Sequence, residues 1–322
     1  MKGLSKDSAT WHEVEAERAG QRIDNYLTTR LKGVPKSHIY RILRSGEVRV
    51  NSRRVGPDYR LEEGDRVRLP PLRTAPPTAA KRQAPAPRLR LDVLYEDEVL
   101  LVINKPAGVA VHGGSGIGLG VVEQLRLAQP QARFLELAHR LDRGTSGVLM
   151  LAKRRSALLS LHRQLREGRV QKFYAALVKG RWRDKQRSVR LALEKHLVAS
   201  GERRVSVNRE GLPAHTVCRL RRAYSRYSLL EAELKTGRTH QIRVHLAHIG
   251  FPIAGDDKYG DFKLNKELAR QGLKRMFLHA SKTVVAHPQS GAELVLESPL
   301  PPDLKAFVAA LEAEEADRAK GS

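Results

Sequence analysis

Two hydrophobic periods divide the first seventy residues. The apolar positions of a first predicted helix are Ile23, Leu27 and Leu31, which recur every four residues. Gly33 stops this helix, and a second helix is predicted from an N-cap at Ser37 to Gly46. Beyond Gly46 the period becomes two, and Asn51-Ser52 is typical of a tight turn between strands. The pattern predicts a compact module of two helices followed by strands.

A second, larger region combines strand-like and helical patterns in irregular order. Its predicted strands are Val99–Ile103, Val148–Ala152, Phe173–Val178 and Ser228–Leu234. Leucines at helical spacing predict a helix over Ala157–Leu165, and a terminal amphipathic helix is expected over Asp303–Ala319. Hairpins with interspersed helices indicate an α+β domain with a mixed or antiparallel sheet, not a doubly wound fold.

Composition shifts give the expected boundaries. Residues 1–18 are polar and are predicted to be a flexible N-terminus, and residues 19–70 form the αα-β module. Residues 71–90 are rich in proline and basic residues and contain no acid, which predicts an extended linker. The large domain is expected over residues 91–311, and residues 312–322 form an acidic tail.

Charge changes this picture most. The 322 residues carry 59 Lys and Arg against 35 Asp and Glu, a net charge of +24 that favours polyanionic partners such as nucleic acid. Cations are dense in the αα-β module, and Lys32 is among them. The candidate RNA contacts there are Lys36, Arg41, Arg44, Arg49, Arg53 and Arg54. A charge run can also be a plain solvated face, but this density favours contact with phosphates.

Other features limit the class of protein. Cys218 is the single cysteine, so no disulfide can form within the chain. The apolar runs have the length of strands, and the N-terminus lacks the apolar segment of a signal peptide. We therefore expect a cytoplasmic protein with no membrane segment.

One segment combines residues that could carry out chemistry. His139 to Val148 reads HRLDRGTSGV and places Asp142 between two arginines, directly before a predicted strand. Neighbouring cations favour an ionised carboxylate, which can act as a nucleophile, a general base or a metal ligand. A structural salt bridge in a loop would account for the same spacing.

The sequence gives little support for a metal or a nucleotide cofactor. His240, His245 and His248 lack the spacing of a zinc site, and no cysteine cluster accompanies them. The glycine-rich run at residues 113–120 lacks the Lys-Ser or Lys-Thr of a phosphate-binding loop and is interpreted as a loop near an RNA cleft. We expect neither cofactor nor metal.

The HRLDRGTSGV segment closely resembles the signature of pseudouridine synthases of the RluA group. Many members carry a second acid at the position of Gly144, which is not the catalytic position. Further motifs of that group follow in the expected order. They are Lys105-Pro106-Ala107-Gly108, the run from Gly237 to His245, Pro252 to Asp256 with Tyr259-Gly260, Leu278-His279-Ala280 and Pro299-Leu300-Pro301.

This resemblance implies a pseudouridine synthase domain and assigns residues to roles. Asp142 would attack a flipped-out uridine, Tyr174 would stack on its uracil, and Arg243 would pair with the aspartate. Arg140 would occupy the space that the base leaves. Whether the aspartate adds to the sugar, adds to the base or removes a proton stays open. Isomerisation needs no redox change, so the resemblance implies no cofactor.

The N-terminal module resembles an S4 RNA-binding domain, and the runs from Arg22 to Leu27 and from Leu31 to Arg44 resemble the RluC subfamily of that group. The resemblance implies that the enzyme modifies uridines of 23S rRNA, either free or in large-subunit precursor particles. We expect the protein to be a monomer. A tRNA substrate and a non-catalytic role in ribosome assembly remain as alternatives.

Overall fold

The computed structural model describes residues 8–31, 34–71, 92–113, 119–132, 134–197 and 203–320. Several predictions lie outside this range: the first seven residues, Lys32, nearly all of the 71–90 linker, and the centre of the glycine-rich run at residues 114–118. The chain divides into two compact units, Met1–Pro87 and Arg88–Ser322.

The N-terminal unit has two helices on a small antiparallel sheet. Its elements are β1 (Thr10–Glu13), a 3-10 turn (Ala16–Arg18), α1 (Ile23–Arg30), α2 (Lys36–Arg44), β2 (Arg49–Val50) and β3 (Arg66–Leu69). The strands pair in the order β1-β3-β2. Ile23, Leu27 and Ile39 are at most 1% exposed and pack together, which confirms the predicted apolar faces of both helices.

Two local predictions for this unit were wrong. Residues 1–18 were expected to be a flexible N-terminus, yet Thr10–Glu13 pairs with Arg66–Leu69 along its whole length. This edge strand alternates half-buried and exposed side chains, so its sequence lacks a strong apolar signal. Ser37 was expected to be the N-cap of α2, but the helix begins at Lys36 and Pro35 occupies the N-cap position without a side-chain hydrogen bond. The predicted turn is present, with positive φ angles of 48° and 67° at Asn51 and Ser52.

The C-terminal unit contains the larger sheet. Its strands are β4 (Asp92–Glu96), β5 (Leu100–Lys105), β6 (Glu136–Leu137), β7 (Ser146–Ala152), β8 (Gln171–Lys179), β9 (Gln186–Arg190), β10 (Leu193–Leu197), β11 (Arg203–Val207), β12 (His215–Ala223), β13 (Tyr227–Leu234), β14 (Leu278–Ala286) and β15 (Glu293–Glu297). Its helices are α3 (Val121–Ala128), α4 (Arg155–Arg166), α5 (Gln241–His248), α6 (Phe262–Arg270) and α7 (Pro302–Lys320).

The main sheet runs in the order β4-β5-β7-β14-β8-β13-β12-β9, with β15 beside β14 and β6 beside β7. The pairings are antiparallel except for the short parallel contact of β7 with β14. Strands β10 and β11 form a separate hairpin. The unit is thus α+β with a mixed sheet, which confirms the predicted fold class.

Strand β7 is covered by apolar side chains on both faces of the sheet. Its seven residues are all buried. Leu149 and Leu151 pack into one apolar cluster, while Val148 and Met150 pack into another on the opposite face. A strand buried on both faces cannot shift its register cheaply, so the loop that precedes it has a fixed end point.

The terminal helix predicted over Asp303–Ala319 is confirmed, since α7 spans Pro302–Lys320. Its acidic part, which was expected to be a separate tail from residue 312, belongs to the same unbroken helix. Its acidic part packs back on the domain: Glu312 pairs with Arg222, and Glu315 accepts a hydrogen bond from the backbone of Ser225. The apolar face of α7 ends near Leu311, and beyond it these polar contacts hold the helix against the domain.

Candidate active site

Asp142 lies in the loop that joins β6 to β7. The Thr145 amide donates to the Asp142 carbonyl at 3.1 Å, which closes a turn immediately before β7. The Asp142 side chain is 26% exposed, so its carboxylate is accessible to a substrate. The loop therefore presents the carboxylate from the end of the most buried strand.

The buried Lys105 connects the segment that follows β5 to the Asp142 loop. Lys105 at the end of β5 is fully buried, and its ammonium donates to the carbonyls of Pro106 at 2.8 Å, Val109 at 2.9 Å and Arg143 at 3.3 Å. Burial, with the nearby Arg275 guanidinium, lowers the pKa of Lys105 to about 7. Lys105 thus joins the KPAG segment to the residue that follows Asp142.

Glycine is required where the loop enters the sheet. Gly147 has φ of +110°, and a Cβ there would lie 2.1 Å from the carbonyl oxygen of Ala280. Gly147 and Ala280 are partners in the parallel contact of β7 with β14, and Ala280 also pairs with Tyr174 on β8. The register places the Asp142 loop and Tyr174 on opposite sides of one residue.

Tyr174 is 6% exposed and belongs to the central apolar cluster. Burial and the negative charge of Asp142 raise the pKa of its phenol well above the usual range. The hydroxyl therefore stays protonated at neutral pH and can donate a hydrogen bond. The Asp142 carboxylate is therefore near enough to Tyr174 for its charge to act on the phenol.

Arg243 on α5 connects Asp142 to a second, buried acid. Its Nε and Nη2 donate to the two carboxylate oxygens of Asp256 at 2.8 Å each, and its Nη1 donates to Asp142 Oδ2 at 3.2 Å. Burial opposes the charges of Arg243 and Asp256, but their mutual hydrogen bonds outweigh it, so the pKa of Arg243 is raised and that of Asp256 is lowered. The guanidinium is fixed in a bidentate pair, and its remaining amino group points at Asp142.

His240 and Tyr259 complete the surroundings of the carboxylate. His240 Nε2 lies 3.8 Å from Asp142 Oδ1, and the Tyr259 hydroxyl lies 2.8 Å from His240 Nδ1. The Tyr259 ring also packs on the Arg243 guanidinium, 5.1 Å from ring centre to carbon. Asp142 therefore has an arginine at one oxygen and a histidine near the other.

The three residues predicted to be catalytic are thus brought together in one region of the C-terminal unit, while Arg140 is exposed two residues before Asp142. The arrangement places an accessible carboxylate in the same region as a protonated phenol, which suits nucleophilic or general-base chemistry. His245 is not oriented toward this site: its ring bonds to Thr216 and to the Leu191 carbonyl. Among the residues that the structure describes, no group of three or more His, Cys, Asp or Glu could hold a metal ion.

The predicted RNA contacts of the N-terminal unit form a second candidate site. The six cations Lys36, Arg41, Arg44, Arg49, Arg53 and Arg54 are exposed and are called here the basic α2 surface. Arg49 donates to the carbonyl of Gly46, the residue after α2, and the Arg54 side chain lies against the same glycine. Within the described ranges, none of the six forms an ion pair with a carboxylate, so their charges are available to a ligand.

Comparison with known proteins identifies the class to which this site belongs. A profile of the family described as RNA pseudouridylate synthase matches residues 99–248, and a profile of the S4 domain matches residues 21–67. The chain belongs to the RNA pseudouridylate synthase family and carries an S4 domain. It is an RNA pseudouridine synthase.

Its relatives narrow the class further. The chain is 53% identical over 300 residues to the ribosomal large subunit pseudouridine synthase C of Escherichia coli (strain K12), with 91% of this chain and 93% of that protein covered. The enzyme of the same name from Salmonella typhi is 53% identical, with 91% of this chain and 93% of that protein covered. The one from Pasteurella multocida is 51% identical, with 92% of each protein covered. These relatives confirm the resemblance to the RluC subfamily.

Solved structures agree with the fold. Human RNA pseudouridylate synthase domain containing 1 matches with a TM-score of 0.57 and 26% identity, covering 71% of this chain and 97% of that one. Human RNA pseudouridylate synthase domain containing 4 gives the same TM-score and identity, covering 69% of this chain and 93% of that one.

The described residues contain no helix long and apolar enough to cross a membrane.

Sequence analysis missed several residues of this site. Lys105, Asp256 and Tyr259 were quoted within motifs without a role, and His240 was considered only as a metal ligand. Asp256 could have been found by asking which acid balances Arg243, since a buried guanidinium requires a partner. The carbonyl contacts of Lys105 have no signal in the sequence.

Proposed function

We propose that this enzyme isomerises uridines of large-subunit ribosomal RNA, 23S rRNA, to pseudouridine, with Asp142 acting on a flipped-out nucleotide. The observation that carries this proposal is the 3.2 Å contact between the accessible Asp142 carboxylate and Arg243. Asp142 lies in the segment that resembles the signature of the family. The choice of RNA follows the relatives, whose name places their activity on the ribosomal large subunit.

The reaction fits the groups present. The glycosidic bond from the ribose to N1 breaks, the base turns, a new bond forms to C5, and the proton of C5 is lost while N1 gains one. Asp142 would start the bond cleavage, and Tyr174 would stack on the base and donate or accept a proton. Arg243 would hold the Asp142 carboxylate in a fixed orientation. Arg140, which is exposed, would fill the gap in the RNA stack.

The basic α2 surface would hold the RNA by its phosphates. Six exposed cations without acidic partners support this role, because phosphate contacts position RNA without reading its sequence. The functional division would be an S4 module at residues 19–70, a linker at 71–90 and a catalytic domain at 91–311. We also propose that the enzyme is a cytoplasmic monomer that acts on 23S rRNA or on large-subunit precursor particles.

The test is tritium release from unmodified 23S rRNA carrying 5-tritiated uridine. We expect release by the wild type and a loss of about a thousandfold or more in Asp142→Asn, because the amide cannot act as a nucleophile or base. RNA binding by the variant should persist. A matched control is Asp257→Asn, since Asp257 contacts the same arginine but its side chain is 95% exposed.

Activity that persists in Asp142→Asn would contradict the catalytic assignment. Release from tRNA alone would replace the proposed substrate, and failure of the wild type on both RNAs would favour a binding factor for ribosome assembly.

A further inference from the structure

His240 has a backbone conformation that few residues adopt. It precedes α5 with φ of 53° and ψ of 20°, in the left-handed region that non-glycine residues rarely occupy. Such conformations persist where the surrounding structure stabilises them, and they are frequent at functional sites. The conformation directs the imidazole between Tyr259 and Asp142, with its side chain 18% exposed.

The hydrogen bonds around Tyr259 favour a proton on one particular ring nitrogen of His240. The Val205 amide donates to the Tyr259 hydroxyl oxygen at 3.1 Å, and that hydroxyl lies 2.8 Å from His240 Nδ1. If Nδ1 accepts the phenolic proton, Nε2 carries the imidazole proton and faces Asp142. The other tautomer would aim the Nε2 lone pair at a carboxylate oxygen 3.8 Å away, which is repulsive.

The ring is neutral in these surroundings. Burial lowers the pKa of His240, and the cations Arg243 and Lys258 lower it further, while Asp142 and Asp256 oppose the shift. A neutral imidazole with a proton on Nε2 offers one directed donor to Asp142 and adds no full charge to a region that already contains Arg243.

We propose that His240 is a positioning residue for the Asp142 carboxylate, held in the Nε2–H tautomer by the hydrogen-bonded chain Val205–Tyr259–His240. Arg243 Nη1 holds Oδ2 and the His240 N–H is directed at Oδ1, so the two oxygens have different partners and the carboxylate plane is oriented toward the uridine. This inference rests on the proposed function of Asp142.

Substitutions at position 240 separate the donor from the backbone conformation. Asparagine tolerates the left-handed region and has a polar group near the position of Nδ1, but it cannot reach Asp142. Glutamine is one atom longer and places an amide N–H near the position of Nε2. We expect His240→Asn to lower kcat by up to about tenfold, through loss of the electrostatic contact with Asp142 Oδ1 at 3.8 Å, while KM for the RNA changes little. His240→Gln should recover most of that loss.

Two further variants complete the kinetic test. Tyr259→Phe should lower kcat in the same sense as His240→Asn, because the ring loses the bond that selects its tautomer. His248→Asn makes the same chemical change on an exposed residue of the same helix and should leave kcat, KM and thermal unfolding at wild-type values. Equal losses in His240→Asn and His240→Gln, or wild-type kcat in His240→Asn, would overturn the proposal.

Nitrogen-15 NMR of the full-length enzyme labelled at histidine tests the same idea without turnover. We expect the His240 signals of the neutral Nε2–H tautomer in the wild type and a mixture of tautomers in Tyr259→Phe. A proton on Nδ1 in the wild type would overturn the proposal. An inactive wild type would contradict the proposed function, yet the tautomer would still be read from these spectra.

Discussion

Arginine does opposite things in the two units. Arg243 is 7% exposed and contacts three carboxylates, those of Asp142, Asp256 and Asp257. Arg41 is exposed, and the contact that the structure gives it is with His38 on the same helix. A buried guanidinium with fixed partners orients another group, whereas an exposed one retains its freedom and can bind a phosphate. In the proposed function, Arg243 orients the catalytic carboxylate, and exposed cations such as Arg41 bind RNA phosphates.

The largest effect is expected from breaking the buried pair. Arg243→Leu should abolish pseudouridine formation and lower the free energy of unfolding by about 3–5 kcal/mol, because Asp256 would remain buried without its partner. Tritium release and urea unfolding measure the two losses. Adding Asp256→Asn should restore much of the stability and none of the activity. A stable, active Arg243→Leu enzyme would mean that the pair does not orient Asp142.

Two substitutions at Tyr174 distinguish a role in stacking from a role in proton transfer. If the Tyr174 hydroxyl takes part in proton transfer, Tyr174→Phe should lower kcat about a hundredfold, as for loss of a general acid–base group. Tyr174→Leu should also lose the aromatic surface for stacking, so its kcat should be lower than that of Tyr174→Phe. Rapid-quench measurement of product formation distinguishes these variants. Equal rates for Tyr174→Phe and the wild type would leave only stacking to this residue.

The basic α2 surface should affect affinity and not the chemical step. Replacing Arg41, Arg44 and Arg53 together by glutamine should lower the slope of log K against log salt by about two to three, since each phosphate contact contributes roughly 0.7 to 0.9. Filter binding at several salt concentrations gives the slope, and saturating kcat should stay unchanged. The matched control replaces three arginines that are already paired with glutamates: Arg169, Arg222 and Arg226. An unchanged slope in the first triple variant would contradict the proposed RNA contact.

The smallest effect is a difference in acid stability between the units. Burial raises the pKa of Asp256 and that of Asp24, but hydrogen bonds with Arg243 and with Arg22 and Tyr40 outweigh it and lower both. A depressed carboxylate contributes stability that is present above its unfolded pKa of about 3.9 and is lost as pH falls through the folded value. The stability difference between wild type and Asp256→Asn should therefore shrink below about pH 4.

Urea unfolding between neutral and acid pH follows that difference. Asp24→Asn should show a weaker version of it, because Arg22 is 42% exposed and water screens the pair, whereas the carboxylate of Asp256 is 1% exposed. An effect that is as large at Asp24 as at Asp256 would contradict the contrast between the two regions.

Local patterns predicted the elements whose apolar positions repeat, such as Ile23 and Leu27 in α1 and the continuous apolar run of β7. They missed β1 because Thr10–Glu13 gains its partner from Arg66–Leu69, more than fifty residues away. The motif around Asp142 indicated the candidate residues of the site. The contacts of Lys105 with Val109 and Arg143, and those of His240 with Tyr259 and Asp142, depend on chain segments that only folding brings together.

Ala280 has a consequence for how this enzyme class can vary. It pairs with Gly147 on one side and with Tyr174 on the other, so the entry of the Asp142 loop and the tyrosine are two strand spacings apart, about 10 Å between backbones. This separation is set by backbone hydrogen bonds and not by loop length. Loop insertions that leave these strand pairings intact would therefore leave the distance between the entry of the Asp142 loop and Tyr174 unchanged.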